Sequence, residues 1–305
     1  MTKIRRDEIE SFGKLDFLAS QAVEGFLTGL HKSPYHGFSV EFAEHRQYNT
    51  GESSRHVDWK LYGRTDKLFT KRYEEETNLR CQILIDHSSS MYFPEGSEKR
   101  SKINFSIHAA ATLVNLLKRQ RDAYGLTVYS DKVETHLPPR SSSVAQNAVY
   151  TELEKLLHEE PTNSVTDTVS TLHQVAERIH KRSLVVLFSD MLDTSEEKEE
   201  QAFRALQHLK FNKHEVILFH VLDPSSEVEF DYSNRPHTFV DLETGEKVKL
   251  NPKQIQAEYK ERMEAFLKRL KVKCAQFKID LIEADINKGF DQVLLAYLIK
   301  RSRMY

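Results

Sequence analysis

The sequence predicts an α/β protein: an open, mostly parallel β-sheet with helices on both faces, preceded by an N-terminal helix and a small β-rich element. Three observations predict it. Short apolar runs recur at 83–85 (ILI), 184–188 (LVVLF) and 216–219 (VILF), as suits strands buried on both faces of a parallel sheet. Amphipathic helical stripes stand between them, and strand–helix alternation is the signature of an α/β domain. Two of the runs also end in a carboxylate, at Asp86 and at Ser189-Asp190. Ligands of open parallel sheets bind beyond the carboxyl ends of the strands.

Taken in order, Leu15, Leu18, Ala19, Ala22, Phe26 and Leu30 fall at helical spacing and predict an amphipathic first helix, ended by Pro34 and Gly37. From Phe38 to Tyr73 the pattern alternates as half-exposed strands do (FSVEF, HVDW, LFTKRYE), with NTGESS as a loop. Sheet strands are expected near 81–86, 125–130, 183–189, 216–222 and 279–284. Helices are expected at Ile103 to Leu117, Val144 to His158, Val169 to Ile179, Ser195 to Phe211, Ile255 to Phe277 and Phe290 to Leu298. FVDLETGEKVKL reads as a hairpin in which Gly245 takes a positive φ, and Asn251-Pro252 as an N-cap and first-turn pair. The division is residues 1–76 for the helix and β-rich element, and 77–305 for the sheet domain with a hairpin insertion around 226–250.

The 305 residues carry a formal net charge of −2, so there is no global bias toward nucleic acid. The two cysteines, Cys81 and Cys274, lie in apolar contexts and suggest neither a disulfide framework nor a zinc site. The N-terminus lacks an apolar signal core and no run approaches a membrane span, so a cytoplasmic protein without direct membrane insertion is expected. The fourteen histidines show no HExxH spacing.

The chemistry concentrates in CQILIDHSSSM, Cys81 to Met91. A loop leaving the strand could turn Asp86, Ser88 and Ser90 toward one point, an oxygen set suited to magnesium, which tolerates retained water. The same residues could form only an Asp/Ser-rich turn with an Asx-type hydrogen bond. That a second apolar strand also ends in a carboxylate, Asp190, is hard to explain by turn chemistry alone.

Asp86-His-Ser88-Ser-Ser90-Met, a threonine in a later loop, and Ser189-Asp190 together resemble the metal-ion-dependent adhesion site of von Willebrand factor A domains. The resemblance implies a von Willebrand factor A-like, Rossmann-like sheet. It implies that Ser88 and Ser90 coordinate a divalent cation (Mg²⁺, with Ca²⁺ or Mn²⁺ as alternatives), that Thr166 adds a third hydroxyl, and that Asp86 and Asp190 act directly or through water. An open position would take a carboxylate from a partner protein. Thr162 rivals Thr166, and the family's glycines are replaced here by Asn163-Ser164-Val165-Thr166-Asp167 and Ser189-Asp190-Met191.

The stretch Gly37 to Glu76 resembles the signature of the bacterial proteins grouped as domain of unknown function 58. The elements that carry it are Glu41-Phe42, Arg46, Tyr48, Gly51-Glu52, Arg55, Val57-Asp58-Trp59-Lys60, Arg64, Lys71 and Tyr73-Glu74. That resemblance implies partnership with a MoxR-type AAA+ ATPase, in protein maturation or chaperone-like assembly. From the residue types alone, Trp59 reads as a packing anchor, and Arg46, Arg55, Asp58 and Arg64 as an ion-pair network.

The expectation is therefore a non-enzymatic interaction module that binds an acidic residue of a client or of the ATPase through a metal. A metal-dependent phosphohydrolase is the rival, with Asp86 as nucleophile. Ser88 removes the second carboxylate of a D-x-D pair, and no G-K-[ST] loop or G-x-S-x-G elbow occurs. A scaffold with a vestigial metal site is the third reading.

Overall fold

The sheet strands are the apolar runs. In the computed structural model, which describes residues 15, 18–24, 45–47, 62–64, 69–71, 79–94, 101–159, 168–192, 196–242 and 245–302, they assemble into a six-stranded sheet. Its members are β3 (Arg80–Asp86), β4 (Ala123–Tyr129), β5 (Val133–Arg140), β6 (Leu184–Ser189), β7 (Glu215–Leu222) and β10 (Asp280–Asp285), in the order β10-β7-β6-β3-β4-β5. All pairings are parallel except that of β5 with β4. Ile83, Leu84 and Ile85 are fully buried, as are Leu184 to Phe188, because helices cover both faces of the sheet.

β5 is not among the expected strands. It contains Pro138 and Pro139, its exposure alternates, and it lies at the sheet edge, where a missing N–H is tolerated. Its backbone approaches β4 so closely that a Cβ on Gly125 would collide with the Leu137 carbonyl and lie 2.6 Å from Gln82 Oε1.

The helices are α1 (Lys102–Arg119), α2 (Ser143–Leu156), α3 (Thr168–Arg178), α4 (Glu196–Phe211), α5 (Pro252–Gln276) and α6 (Asp291–Ser302). Side-chain oxygens of Ser101, Ser142 and Asn251 accept backbone N–H groups at the starts of α1, α2 and α5. One core cluster joins Leu172, Val175 and Ala176 of α3, Phe203, Leu206 and Leu209 of α4 and Leu270 and Cys274 of α5 to Leu84, Val185, Leu187 and Leu218 of the sheet. The acidic run opens α4, and there Glu199 and Glu200 also accept ion pairs from Arg269 and Lys273 of α5. β8 (His237–Val240) and β9 (Lys247–Leu250) form the expected hairpin, with Gly245 at φ 72°.

The chain separates into two compact units, Met1–Phe26 with Leu79–Tyr305, and Leu27–Asn78. In the first, residues 18–24 are helical and Leu15, Ala19 and Val23 are buried. In the second, β1 (His45–Gln47) pairs antiparallel with β2 (Phe69–Lys71), and Arg64 is exposed in a short helical turn. FSVEF, HVDW, Trp59, Arg55 and Asp58 lie outside the described residues, as do most of the signature elements between 37 and 76.

Candidate functional site

The chain runs from β3 to β4 on one side, makes β5, and returns to β6 on the other side of β3. The gap between the carboxyl ends of β3 and β6 is therefore a topological switch point, the place where an open α/β sheet parts to form a crevice. Asp86 ends β3 there, and Ser189 ends β6 with Asp190 just beyond.

Three of the candidate side chains interlock. Asp86 Oδ1 accepts the Ser88 N–H at 3.0 Å, which is the Asx-type bond of the simpler reading. The hydroxyls of Ser88 and Ser90 lie 3.0 Å apart. Asp86 Oδ2 accepts the Ser189 hydroxyl at 2.6 Å, closing the gap between the two strands. A 3₁₀ turn, Ser89–Tyr92, follows and buries Met91 beneath the loop. Thr166 and Thr162 lie outside the described residues, and α3 begins at Thr168.

Met191 follows Asp190 with φ 50°, the left-handed region where a side chain costs about 1–2 kcal/mol relative to glycine. Two contacts hold it there. Its N–H donates to the Ser189 hydroxyl oxygen at 3.0 Å, and its side chain joins the core cluster.

The electrostatics involve residues that the sequence did not flag. Lys102, first residue of α1, has a side chain only 1% exposed; its ammonium donates to Asp190 Oδ2 at 2.7 Å and to Glu227 Oε1 at 2.6 Å. Glu227 sits on a π turn, Pro224–Val228, after β7, and its other oxygen accepts the Asp223 N–H at 2.7 Å. Burial would lower the Lys102 pKa, but Asp190 and Glu227 outweigh it and hold the ammonium charged. Burial would likewise raise Asp190, yet Lys102 and its hydrogen bonds keep that carboxyl below its usual range. Glu227 ends raised, because burial there exceeds its share of Lys102. Burial first, then the Asp190 charge, push Asp86 up to about 6. Burial drives His220 down to about 4, so it is neutral, and its Nε2–H donates to the Asp190 carbonyl at 2.7 Å.

Among the described residues, Asp190 and Glu227 pair with one buried ammonium, Lys102, and a third buried carboxyl, Asp86, lies close enough to Asp190 to feel its charge. With all three ionised, these described groups would carry two surplus negative charges. A hard divalent cation fits this donor set: it would cancel the surplus, and the spacing of the two hydroxyls matches the edge, about 3 Å, of an octahedral magnesium shell. Asp86, Ser88, Ser90 and Asp190 are the described residues that would hold it.

A second cluster has a different explanation. His87, Glu134 and Glu159 each bring a ligand atom within 4.8 Å of the others. Both ring nitrogens are already committed, Nδ1 to Glu134 at 2.9 Å and Nε2 to the Tyr92 hydroxyl at 2.6 Å, while Glu159 pairs with Lys155 at 3.1 Å. A satisfied hydrogen-bond network accounts for it. A groove of ≈690 Å³ lies at the other end of the sheet, by the amino ends of β7 and β10, lined by Lys210, Glu215, Asp280 and Lys300. None of the candidate site residues lines it.

Architecture and site together define an α/β protein with a carboxylate–hydroxyl cluster at its switch point. Residues 44–268 match the family described as "Protein of unknown function DUF58", and the chain belongs to that family. It is 23% identical over 210 residues to an uncharacterised protein of Mycobacterium tuberculosis, covering 69% of this chain and 63% of that protein's length. Among solved structures, an aerotolerance-related membrane protein from Bacteroides fragilis aligns with a TM-score of 0.45 at 14% identity, over 74% of this chain and 99% of that one. The SpRpn10 VWA domain aligns with a TM-score of 0.38 at 12% identity, over 71% and 93%. At these scores no property of theirs carries over. No helix among the described residues is long and apolar enough to cross a membrane.

Proposed function

We propose that this protein is a non-enzymatic interaction module that binds a carboxylate-bearing partner through a divalent cation, Mg²⁺, held at Asp86, Ser88, Ser90 and Asp190, with Thr166 as the further hydroxyl. The observation that supports the reading is the buried cluster itself: three carboxyl groups with a single ammonium among the described residues, an arrangement costly to ionise unless paired or bound to metal. Hydroxyl donors bring no charge, so the ion would stay electrophilic toward an Asp or Glu of a client. By family resemblance the assembly includes a MoxR-type AAA+ ATPase, and we place its work in cytoplasmic protein maturation or chaperone-like assembly.

The test is thermal unfolding with millimolar Mg²⁺ or with chelator. A ligand that binds only the folded state raises stability by mass action, so the wild type should gain several degrees in Mg²⁺, and Asp86→Asn should gain nothing. Capture of the ATPase from the same organism should show the same dependence. Equal midpoints in both conditions for the wild type would leave a scaffold with a vestigial site.

One observation favours a second reading. A phosphohydrolase using Asp86 as nucleophile needs a nearby lysine, and Lys102 enters the same crevice through Asp190. Mg²⁺-dependent phosphatase turnover lost in Asp86→Asn would establish that reading over the first.

A further inference from the structure

Lys102 has no part in the proposed metal set, yet it occupies an unfavourable place for an ammonium. It stands at the first turn of α1, where the helix dipole opposes a positive charge, and it is almost completely buried. Two carboxylates hold it there, and one of them is a proposed metal ligand. Both oxygens of Asp190 are already in use: Oδ2 accepts Lys102 at 2.7 Å, and Oδ1 accepts the Leu192 N–H at a weaker 3.3 Å. A divalent ion that draws on Asp190 must therefore share it with the ammonium.

We infer that Lys102 is a tethered cation competing with the divalent ion for Asp190, and that Glu227 sets the terms of the competition by drawing the ammonium away. This rests on the metal reading above and adds to it the residues that tune the affinity. Glu227 is suited to the task because its own position does not depend on Lys102. Its Oε2 is fixed by the Asp223 N–H at 2.7 Å. Asp223 is itself set by hydroxyls of Ser225 and Ser226 and by the Asn287 amide. The π turn thus brings a second, independently held carboxylate to the same ammonium that Asp190 binds.

The signs of two variants distinguish this role from a packing role. Glu227→Gln removes the competing charge, so the ammonium falls wholly on Asp190 and metal binding weakens. Removing both partners, Lys102→Met with Glu227→Gln, frees Asp190 for the ion and binding tightens. A merely structural ion pair predicts that both variants weaken binding through a damaged fold. Residues one step outside a metal shell alter affinity by about 10-fold to 100-fold, and about tenfold in each direction is expected here.

The experiment is calorimetric titration of the full chain with Mg²⁺, and with Mn²⁺ as a second probe, for wild type, Glu227→Gln, the double variant and Asp86→Asn. Should the double variant need the ion to fold, far-UV circular dichroism against Mg²⁺ gives the same ranking. Opposite shifts in the two variants support the inference. Shifts in the same direction, or none, while Asp86→Asn still abolishes binding, overturn it and leave the metal site standing. Binding unaffected by Asp86→Asn overturns the metal reading and this inference with it. No binding by the wild type but binding by the double variant supports the competition and overturns the metal reading for the native chain.

Discussion

Two lysines in this protein make nearly the same contacts at opposite ends of the sheet. Lys102 bridges Asp190 and Glu227 at 2.7 and 2.6 Å at the carboxyl end; Lys300 bridges Glu215 and Asp280 at 2.6 and 3.0 Å at the amino end of β7 and β10. The difference is water. The carboxylates around Lys300 are 39% and 36% exposed, and those around Lys102 are 11% and 3% exposed. The two glutamates accordingly move in opposite directions. At Glu227 burial exceeds the help from Lys102 and the pKa rises; at Glu215 burial is outweighed by Lys210 and Lys300 and the pKa falls. Distances alone would have called the two triads equivalent. Solvent access decides which of them stores electrostatic cost.

The largest test of that contrast is removal of each lysine. Lys102→Met strands two buried carboxylates and should cost about 3–5 kcal/mol in urea unfolding. Lys300→Met should cost about 1 kcal/mol or less, since an exposed bridge is worth little. Comparable losses would break the comparison. Salt gives a smaller effect: between 0.05 and 1 M NaCl (roughly 14 and 3 Å of screening length) the loss caused by Lys300→Met should shrink, and that caused by Lys102→Met should not.

The smallest effect is in pH. A carboxylate whose folded pKa is lowered adds stability above its unfolded value, near 4.5 for Glu215, and loses it as pH falls through the folded value. Acid titration of stability should therefore flatten slightly below pH 4.5 in Glu215→Gln. Glu227 works with the opposite sign: its ionisation subtracts stability as pH rises above about 4.5, so its contribution is a loss on the neutral side.

The parts legible in the sequence were those with local signals. Ile83 to Ile85 and Leu184 to Phe188 announce buried strands because the whole run is apolar, and Asp86 and Asp190 stand out because each interrupts such a run at its end. β5 was missed because Pro138 and Pro139 contradict a strand everywhere except at an edge, and edge position is a property of the assembled sheet. Lys102 and Glu227 were missed for a similar reason. A lysine opening a helix and a glutamate after a proline look solvated in one dimension, and their meeting spans 125 residues. Even Ser189, adjacent to a flagged residue, gained its role only through a contact with Asp86 across 103 positions.

That span has a consequence for the chain as it is made. Lys102 finds its partners 88 and 125 residues downstream. At roughly 5–20 residues per second of synthesis, its ammonium waits about 6–25 s before Glu227 exists at all. Until Asp190 exists, α1 cannot bury its first turn without isolating a charge, and until Glu227 follows, the ammonium has only one of its two partners. The nascent chain is thus kept from closing its crevice early, and the finished crevice marks a polypeptide whose translation has passed the π turn.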